Sequence, residues 1–407
     1  MLDVLKGKKI VLGITGGIAA YKAAELTREL VKQGAEVKVI MTDNATKFIT
    51  PLTLQTLSGN PVYTDTFQLT GEWEIGHISL AQLPDIVIIA PATANIIGKI
   101  ASGIADDLLS TTVMATKAPV LICPAMNTNM YTNEVVMENM QRLTALGYNF
   151  VDAEIGELAC KTTGQGRLAA IPDIIDEVAA IMTPKDLQGE TLLVTAGPTV
   201  EPFDPVRYIS NYSSGKMGYA FAIMAKRRGA RVILISGPTV LPVPRGVTFV
   251  KASSAVEMRD AVMQYLQEAT VVIKVAAVAD YRPQAQSQSK LKKDKGPFSI
   301  NLERNPDIIA EIGKKKGTRI LVGFAMETEN LLQNAYEKLK EKNMDLIVAN
   351  DLSRPGSGFQ YDTNSVRVID RSGDIRKLPL MNKIRVADRV LDRIRLLCKE
   401  QREAVNE

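Results

Sequence analysis

Short apolar runs, each separated from the next by an amphipathic stretch, are what most constrain this chain. Lys9 to Ile14, Glu36 to Met41, Asp85 to Ala90 and Pro119 to Cys123 read as strands of a parallel sheet, buried on both faces. Between the first two, Ala20, Ala23, Ala24, Leu26, Leu30 and Val31 fall largely on one helical face, Glu25, Arg28, Glu29 and Lys32 are polar, and Gly34 suits the C-terminal cap. Strand, helix and strand within about 35 residues form the βαβ unit of a doubly wound sheet. The segment TPKDLQGE, residues 183–190, interrupts the pattern with proline, glycine and charge. A second series follows, through Thr191 to Thr195, Arg231 to Ser236, Thr270 to Ala276, Arg319 to Phe324 and Asp345 to Val348. The expected fold is α/β, with two consecutive doubly wound domains at residues 1–187 and 188–407.

Composition narrows the function. A chain of 407 residues exceeds what one core usually serves, which agrees with two domains. Lys and Arg number 49 against 45 acidic residues, so the formal charge of +4 is too slight to make nucleic acid or membrane the main partner. The three cysteines, Cys123, Cys160 and Cys398, are odd in number and scattered, and His77 is the single histidine. Neither a disulfide framework nor a His/Cys metal cage is expected. No apolar run reaches the roughly 18 residues of a membrane span, and the first residues lack the pattern of a signal peptide, so a cytoplasmic protein is expected.

In the first domain, Gly13, Thr15, Gly16 and Gly17 lie where the first strand hands over to the first helix. Backbone N–H groups there can hold a phosphate, or the glycines simply make a tight turn; the spacing is not G-x-G-x-x-G. APATAN, residues 90–95, places Thr93 and Asn95 at the end of another strand, to bond a cofactor or cap a helix. His77 is a candidate acid/base or an ordinary hydrogen-bonded side chain. Asn127, in PAMNTNMY, can orient a carboxylate or make a turn. Cys160 stands in the polar stretch ACKTTGQGRLA and reads as a reactive thiol on a lid, unlike Cys123 in VLICPAM.

GITGGIAAYK, GHISL, APATANIIGKIASGIADDLL and PAMNTNMY resemble the flavin-dependent cysteine decarboxylase family. The resemblance implies a flavodoxin-like domain that binds FMN through Gly16, Gly17, Ile18, Thr42, Pro91, Thr93, Ala94 and Asn95. It further implies that His77 is the acid/base of substrate oxidation, that Asn127 fixes the substrate carboxylate, and that Cys160 donates the last proton. Decarboxylation needs an electron sink, which a flavin supplies and side chains supply poorly. Lys161 departs from the family pattern, where a small residue is expected.

The densest motif of the second domain is TAGPTVEPFDPVRYISNYSSGKMG, residues 195–218. Ser213, Ser214, Gly215, Lys216 and Gly218 precede an alanine-rich stretch, a place for a triphosphate or for a capped turn, and no Walker A spacing is present. Lys338 and Lys342, spaced i and i+4, also read as a solvated helix face, and residues 284–296 as a polar, lysine-rich mobile loop. These segments resemble the ligase half of a bacterial family in which the decarboxylase is fused to phosphopantothenate-cysteine ligase. The resemblance implies a Rossmann-like domain with CTP on Lys274, Val275, Ala276, Asp280, Lys290, Asn305, Pro306, Asp307, Ile308, Phe324, Lys338 and Lys342, contact at Lys274 being through backbone. Asn211 would steady an acyl-cytidylate and Lys290 neutralise phosphate charge, with Mg²⁺ held mostly by the nucleotide. The family pattern also implies a homo-oligomer: trimeric decarboxylase and dimeric ligase domains, together a dodecamer. Two other readings are an NAD(P)-dependent oxidoreductase, which the glycine spacing disfavours, and a flavoprotein regulatory subunit, which His77, Asn127 and Cys160 speak against.

Overall fold

The computed structural model describes residues 3–66, 76–157, 163–292, 299–327, 331–351, 356 and 358–406. It divides into two compact units, Leu2–Thr183 and Pro184–Glu407. The break falls four residues before the expected 187/188 boundary, because the intervening residues are bonded to the second unit. Lys185 Nζ donates to the Arg227 carbonyl at 2.8 Å and the Leu187 N–H to the Arg228 carbonyl at 2.9 Å. Asp186 pairs with the Arg228 guanidinium, which is 3% exposed and also reaches Asp388 and Asp392.

The first unit holds β1 (Lys9–Ile14), β2 (Glu36–Met41), β3 (Val62–Tyr63), β4 (Ile86–Ala92), β5 (Val120–Pro124) and β6 (Asn149–Phe150), in the all-parallel order β3-β2-β1-β4-β5-β6. Apart from the two-residue edge strand β3, the five remaining strands stand in the flavodoxin order 2-1-3-4-5. Successive side chains of a strand face opposite sides, so the apolar runs feed two cores. Ile10, Leu12, Ile14, Ile86 and Ile88 pack with Ala23, Leu26 and Leu30 of helix Lys22–Lys32. Val11, Val87, Ile89 and Ile122 pack on the other face with Ile96, Ile97 and Ile100 of helix Ala94–Ala101. Helix Lys22–Lys32 ends at Gln33, and Gly34 follows with φ of +85°, a conformation that glycine adopts without steric cost. The antiparallel pair of β7 (Glu154–Glu157) and β8 (Thr163–Arg167) and helix Ile171–Met182 complete the unit.

The second unit holds β9 (Thr191–Ala196), a hairpin of β10 (Val200–Pro202) and β11 (Tyr208–Ser210), then β12 (Arg231–Ser236), β13 (Thr248–Lys251) and β14 (Val271–Lys274). A second hairpin, β15 (Tyr281–Pro283) with β16 (Leu302–Arg304), precedes β17 (Ile320–Glu327), β18 (Leu346–Asp351), β19 (Thr363–Asp370) and β20 (Ile375–Asn382). The main sheet runs β13-β12-β9-β14-β17-β18-β19-β20. Its first six strands are parallel in Rossmann order, and β19 and β20 extend it antiparallel. That extension is absent from the expected strand series. β20 carries Arg376, Lys377 and Pro379 on an exposed edge, a composition that blunts edge-to-edge pairing and hides the strand from an apolar pattern.

Candidate active sites

The first site lies where the chain leaves the carboxyl ends of β1 and β4. The Thr15 hydroxyl donates to the Pro91 carbonyl at 2.7 Å and accepts the Thr93 N–H at 3.1 Å, so the two expected ligand loops are fastened to each other. They face a cavity of about 1120 Å³, lined by Thr15, Gly16, Gly17, Ile18, Thr42, Thr93, Asn95 and Asn127 among others. A Cβ on Gly16 would stand 2.3 Å from Asn44 Cβ, so only glycine admits this approach of the loop. Thr42 Oγ1 is buried and has no hydrogen-bond partner among the described residues. A buried hydroxyl left unpaired is costly, and one on a cavity wall suits a polar ligand.

Asn127 caps the short helix Thr128–Tyr131 by accepting the Asn129 N–H at 2.8 Å. The Met126 N–H donates to the Gly166 carbonyl at 2.9 Å, which ties the β7–β8 pair to this turn and puts Arg167 and Leu168 on the wall. Two expected flavin residues are not on the wall. Pro91 is buried and acts through the carbonyl that holds Thr15, and Ala94 is the first residue of its helix. His77 lies in helix Gly76–Gln82, and Cys160 and Lys161 lie outside the described residues. The wall also carries Lys22, Lys99 and Asp107, none of which the sequence reading singled out. Lys99, four residues after Asn95 and so on the same helix face, is held above the usual lysine range by its hydrogen bonds to Asp106 and Asp107 at 2.7 and 2.9 Å, against the opposing effect of burial.

The second site is a cavity of about 690 Å³ in the second unit. Thr195 Oγ1 accepts the N–H groups of Val275 and Ala276, each at 3.1 Å, and Thr199 Oγ1 that of Ala279 at 3.0 Å. Asn211 Nδ2 donates to the Ala277 carbonyl at 3.0 Å and Asn305 Nδ2 to that of Ala279 at 2.9 Å. A Cβ on Gly218 would stand 2.5 Å from Ala196 Cβ and 2.8 Å from the Thr195 carbonyl oxygen, so helix Lys216–Arg227 starts hard against β9. Phe324 meets Phe221 edge to face, with centroids 5.6 Å apart.

Asn211, Ser213 to Gly218, Lys274 to Ala276, Asp280, Asn305 to Ile308, Phe324, Lys338 and Lys342 all line this cavity. Burial would raise the Asp307 carboxyl, but the Lys342 ammonium at 2.8 Å and the Ala310 N–H outweigh it and keep it below the usual range. Burial pushes Lys274 down to about 8; Asp307 and Asp280 work against that and Lys342 with it.

Lys290 is the exception: it is exposed and is not among the residues of the wall. Its loop is bonded elsewhere, through the Leu291 N–H to Asp204 at 3.2 Å and the Ser287 N–H to the Phe203 carbonyl at 3.0 Å. The Arg207 guanidinium and three backbone N–H groups hold the Asp204 carboxyl far below the usual carboxylate range, although burial opposes them. Asn350, Asn364 and Lys383 line the cavity without having been expected there. Among the described residues, no group of three or more His, Cys, Asp or Glu is placed to hold a metal, and no helix is long and apolar enough to cross a membrane.

Two cavities on two units, each at the carboxyl ends of parallel strands, mark an α/β protein with two ligand sites. The Flavoprotein family matches residues 2–183, and the family described as the DNA/pantothenate metabolism flavoprotein C-terminal domain matches residues 187–397. The chain is 47% identical over 404 residues to the Coenzyme A biosynthesis bifunctional protein CoaBC of Bacillus subtilis (strain 168), covering 98% of this chain and 100% of that one. It is 45% identical over 395 residues to the protein of the same name from Escherichia coli (strain K12), covering 96% and 97%. A solved structure of the C-terminal domain of such a protein, 44% identical, covers 53% of this chain and 99% of its own, with a TM-score of 0.47. The chain belongs to the family of bifunctional coenzyme A biosynthesis proteins. It is an enzyme with a lyase and a ligase activity, the flavoprotein half standing first.

Proposed function

We propose that the unit ending at Thr183 is an FMN-dependent 4'-phosphopantothenoylcysteine decarboxylase and the unit beginning at Pro184 a CTP-dependent phosphopantothenate-cysteine ligase. The ligase acts first. The observation that carries this reading is the convergence on one wall of Asn211, the 213–218 loop, Lys274, Asp307, Lys338 and Lys342.

In the ligase, a phosphopantothenate carboxylate oxygen attacks the α-phosphorus of CTP and pyrophosphate leaves; the cysteine amine then attacks the acyl carbon, forming the amide and releasing CMP. Activation is needed because a free carboxylate is a poor acyl donor. Lys216, Lys338 and Lys342 supply positive charge for the phosphates, and Lys290, which stands off the cavity wall, adds to it only when its loop leaves the Asp204 and Phe203 contacts. Asn211 steadies the acyl-cytidylate. Mg²⁺ would accompany the triphosphate, which would provide most of its ligands.

In the decarboxylase, the glycine cradle and the unpaired Thr42 hydroxyl suit a phosphorylated flavin. When bound, the flavin supplies the electron sink for loss of carbon dioxide. Asn127 orients the substrate carboxylate, the His77 imidazole moves a proton at the oxidation step, and the Cys160 thiol donates one at the end. In keeping with the family resemblance, we assign a cytoplasmic homo-oligomer, a dodecamer of trimeric decarboxylase and dimeric ligase contacts, which light scattering tests. The functional test is mass spectrometry of the flavin-loaded chain incubated with 4'-phosphopantothenate, cysteine, CTP and Mg²⁺. Formation of 4'-phosphopantetheine is expected. Phosphopantothenate left unconsumed by folded, yellow protein would overturn the ligase assignment.

A further inference from the structure

Three side chains at one end of the ligase cavity share a single patch of backbone. Ser214 Oγ donates to the Phe359 carbonyl, and Lys216 Nζ to the Gln360 carbonyl at 2.9 Å and to Asp362 Oδ1 at 2.8 Å. Lys383 Nζ donates to the Gly358 carbonyl at 2.9 Å and to that of Phe359 at 3.2 Å. Lys216 opens helix Lys216–Arg227, Lys383 opens helix Lys383–Asn406, and both residues lie on the cavity wall.

The charges do not balance. Lys383 is only 5% exposed, yet it is bonded to neutral carbonyls, and among the described residues the charged groups around it are Lys216 and Asp362. Two ammonium groups thus face one carboxylate, and that carboxylate is 78% exposed. Burial, and then Lys216, push Lys383 down to about 8, with Asp362 opposing. A buried cation with too little countercharge is stabilised by an anion. The carbonyls of residues 358–360 and the Asp362 carboxylate meet donors of the kind that bind phosphate oxygens.

We propose that Lys383 is a further anion-binding residue of this cavity, which together with Lys216 and Ser214 holds a phosphate group of the ligand. The proposal rests on the reading of this cavity as the ligase site. The phosphate comes either from the polyphosphate of the nucleotide or from the phosphomonoester of the acyl substrate.

The test is calorimetric titration of the full-length, flavin-loaded chain with tripolyphosphate, CTP, 4'-phosphopantothenate and cytidine. Lys383→Gln is expected to weaken tripolyphosphate and CTP by ~10-fold if the group held is the polyphosphate, or phosphopantothenate alone by ~10-fold if it is the monoester, with cytidine unchanged. Either pattern supports the proposal. Unchanged affinities for all the phosphorylated probes, no binding of any of them to the unmodified chain, or an equal loss for cytidine, which marks a purely structural role, would each overturn it. Lys383-dependent tripolyphosphate binding in a chain that does not bind CTP would retain the anion site and remove the nucleotide reading. If Lys383→Gln does not fold, Lys383→Arg keeps the charge at all working pH values. Its affinity for the phosphate probe should fall less than that of the unmodified chain between pH 7 and pH 9, and equal falls would reject Lys383 as the contact.

Discussion

The Thr15 hydroxyl and the Pro91 carbonyl, 76 residues apart in the chain, meet at 2.7 Å across neighbouring parallel strands. The same Thr15 hydroxyl accepts the Thr93 N–H at 3.1 Å, and the second unit repeats that bond, with Thr195 Oγ1 accepting the Val275 and Ala276 N–H groups from the end of β14. In both units a threonine at the carboxyl end of the central strand fastens the segment that follows its neighbour, where the strand order reverses. Removing that hydroxyl takes away the acceptor of the Thr93 N–H in one unit and of the Val275 and Ala276 N–H groups in the other. Thr15→Val and Thr195→Val are each expected to cost ~1–3 kcal/mol in urea unfolding. Thr15→Val should also weaken flavin retention, read from the visible absorbance after gel filtration, and Thr195→Val should not.

Thr42 offers the opposite case. Its buried hydroxyl has no partner within the described structure, so a methyl group in its place removes a cost in the empty protein. Thr42→Val should leave the flavin-free chain as stable as before or more so, and should release flavin more readily. Equal stability together with unchanged flavin affinity would show that this hydroxyl does not serve the ligand.

Gly218 sets the distance between helix Lys216–Arg227 and β9. A methyl group there meets Ala196 Cβ at 2.5 Å and backbone oxygen at 2.8 Å, neither of which can swing away. Gly218→Ala is expected to destabilise the second unit by ~1–3 kcal/mol and to depress ligation. Decarboxylation of supplied 4'-phosphopantothenoylcysteine serves as the internal control and should persist.

Lys274 makes stability depend on pH in a predictable direction. Its pKa falls from 10.5 in the unfolded chain to about 8 in the folded one, so between those values the unfolded state binds more protons. Stability is therefore expected to rise as the pH climbs from 8 towards 10 through this group, and its full cost is paid below pH 8. Lys274→Met should be more stable than the unmodified chain at pH 7, and the difference should shrink by pH 10. Melting curves of both proteins without nucleotide measure this; a difference that stays constant over that range rejects the assignment. CTP, as an anion, should favour the protonated form and reduce the effect.

Two substitutions separate the half-reactions. Lys290→Gln is expected to abolish ligation and to leave decarboxylation of supplied 4'-phosphopantothenoylcysteine intact; loss of both activities would mean that the two sites are coupled. Cys160→Ser should still release carbon dioxide but accumulate an oxidised product, visible by mass spectrometry. Normal formation of 4'-phosphopantetheine by that variant would remove the role assigned to the thiol.

Apolar periodicity by itself determined the α/β class, the two series of strands, and the limits of β1 and β2, because a strand buried on both faces writes its burial directly into its residues. The strand β20, exposed and charged, left no such mark. Local glycine and hydroxyl patterns pointed to Gly16, Thr93, Ser214 and Lys216, since a turn that admits a ligand imposes its residue types within a few positions. Tertiary structure alone decided which distant groups meet. It brought Lys383 to the Ser214 loop across some 170 residues, made Pro91 act through its carbonyl, and left Lys290 off the wall that collects Lys274, Lys338 and Lys342. The physical reason is that a charge's usefulness depends on distance and burial, which the closing of the sheet sets, and a lysine in sequence carries neither.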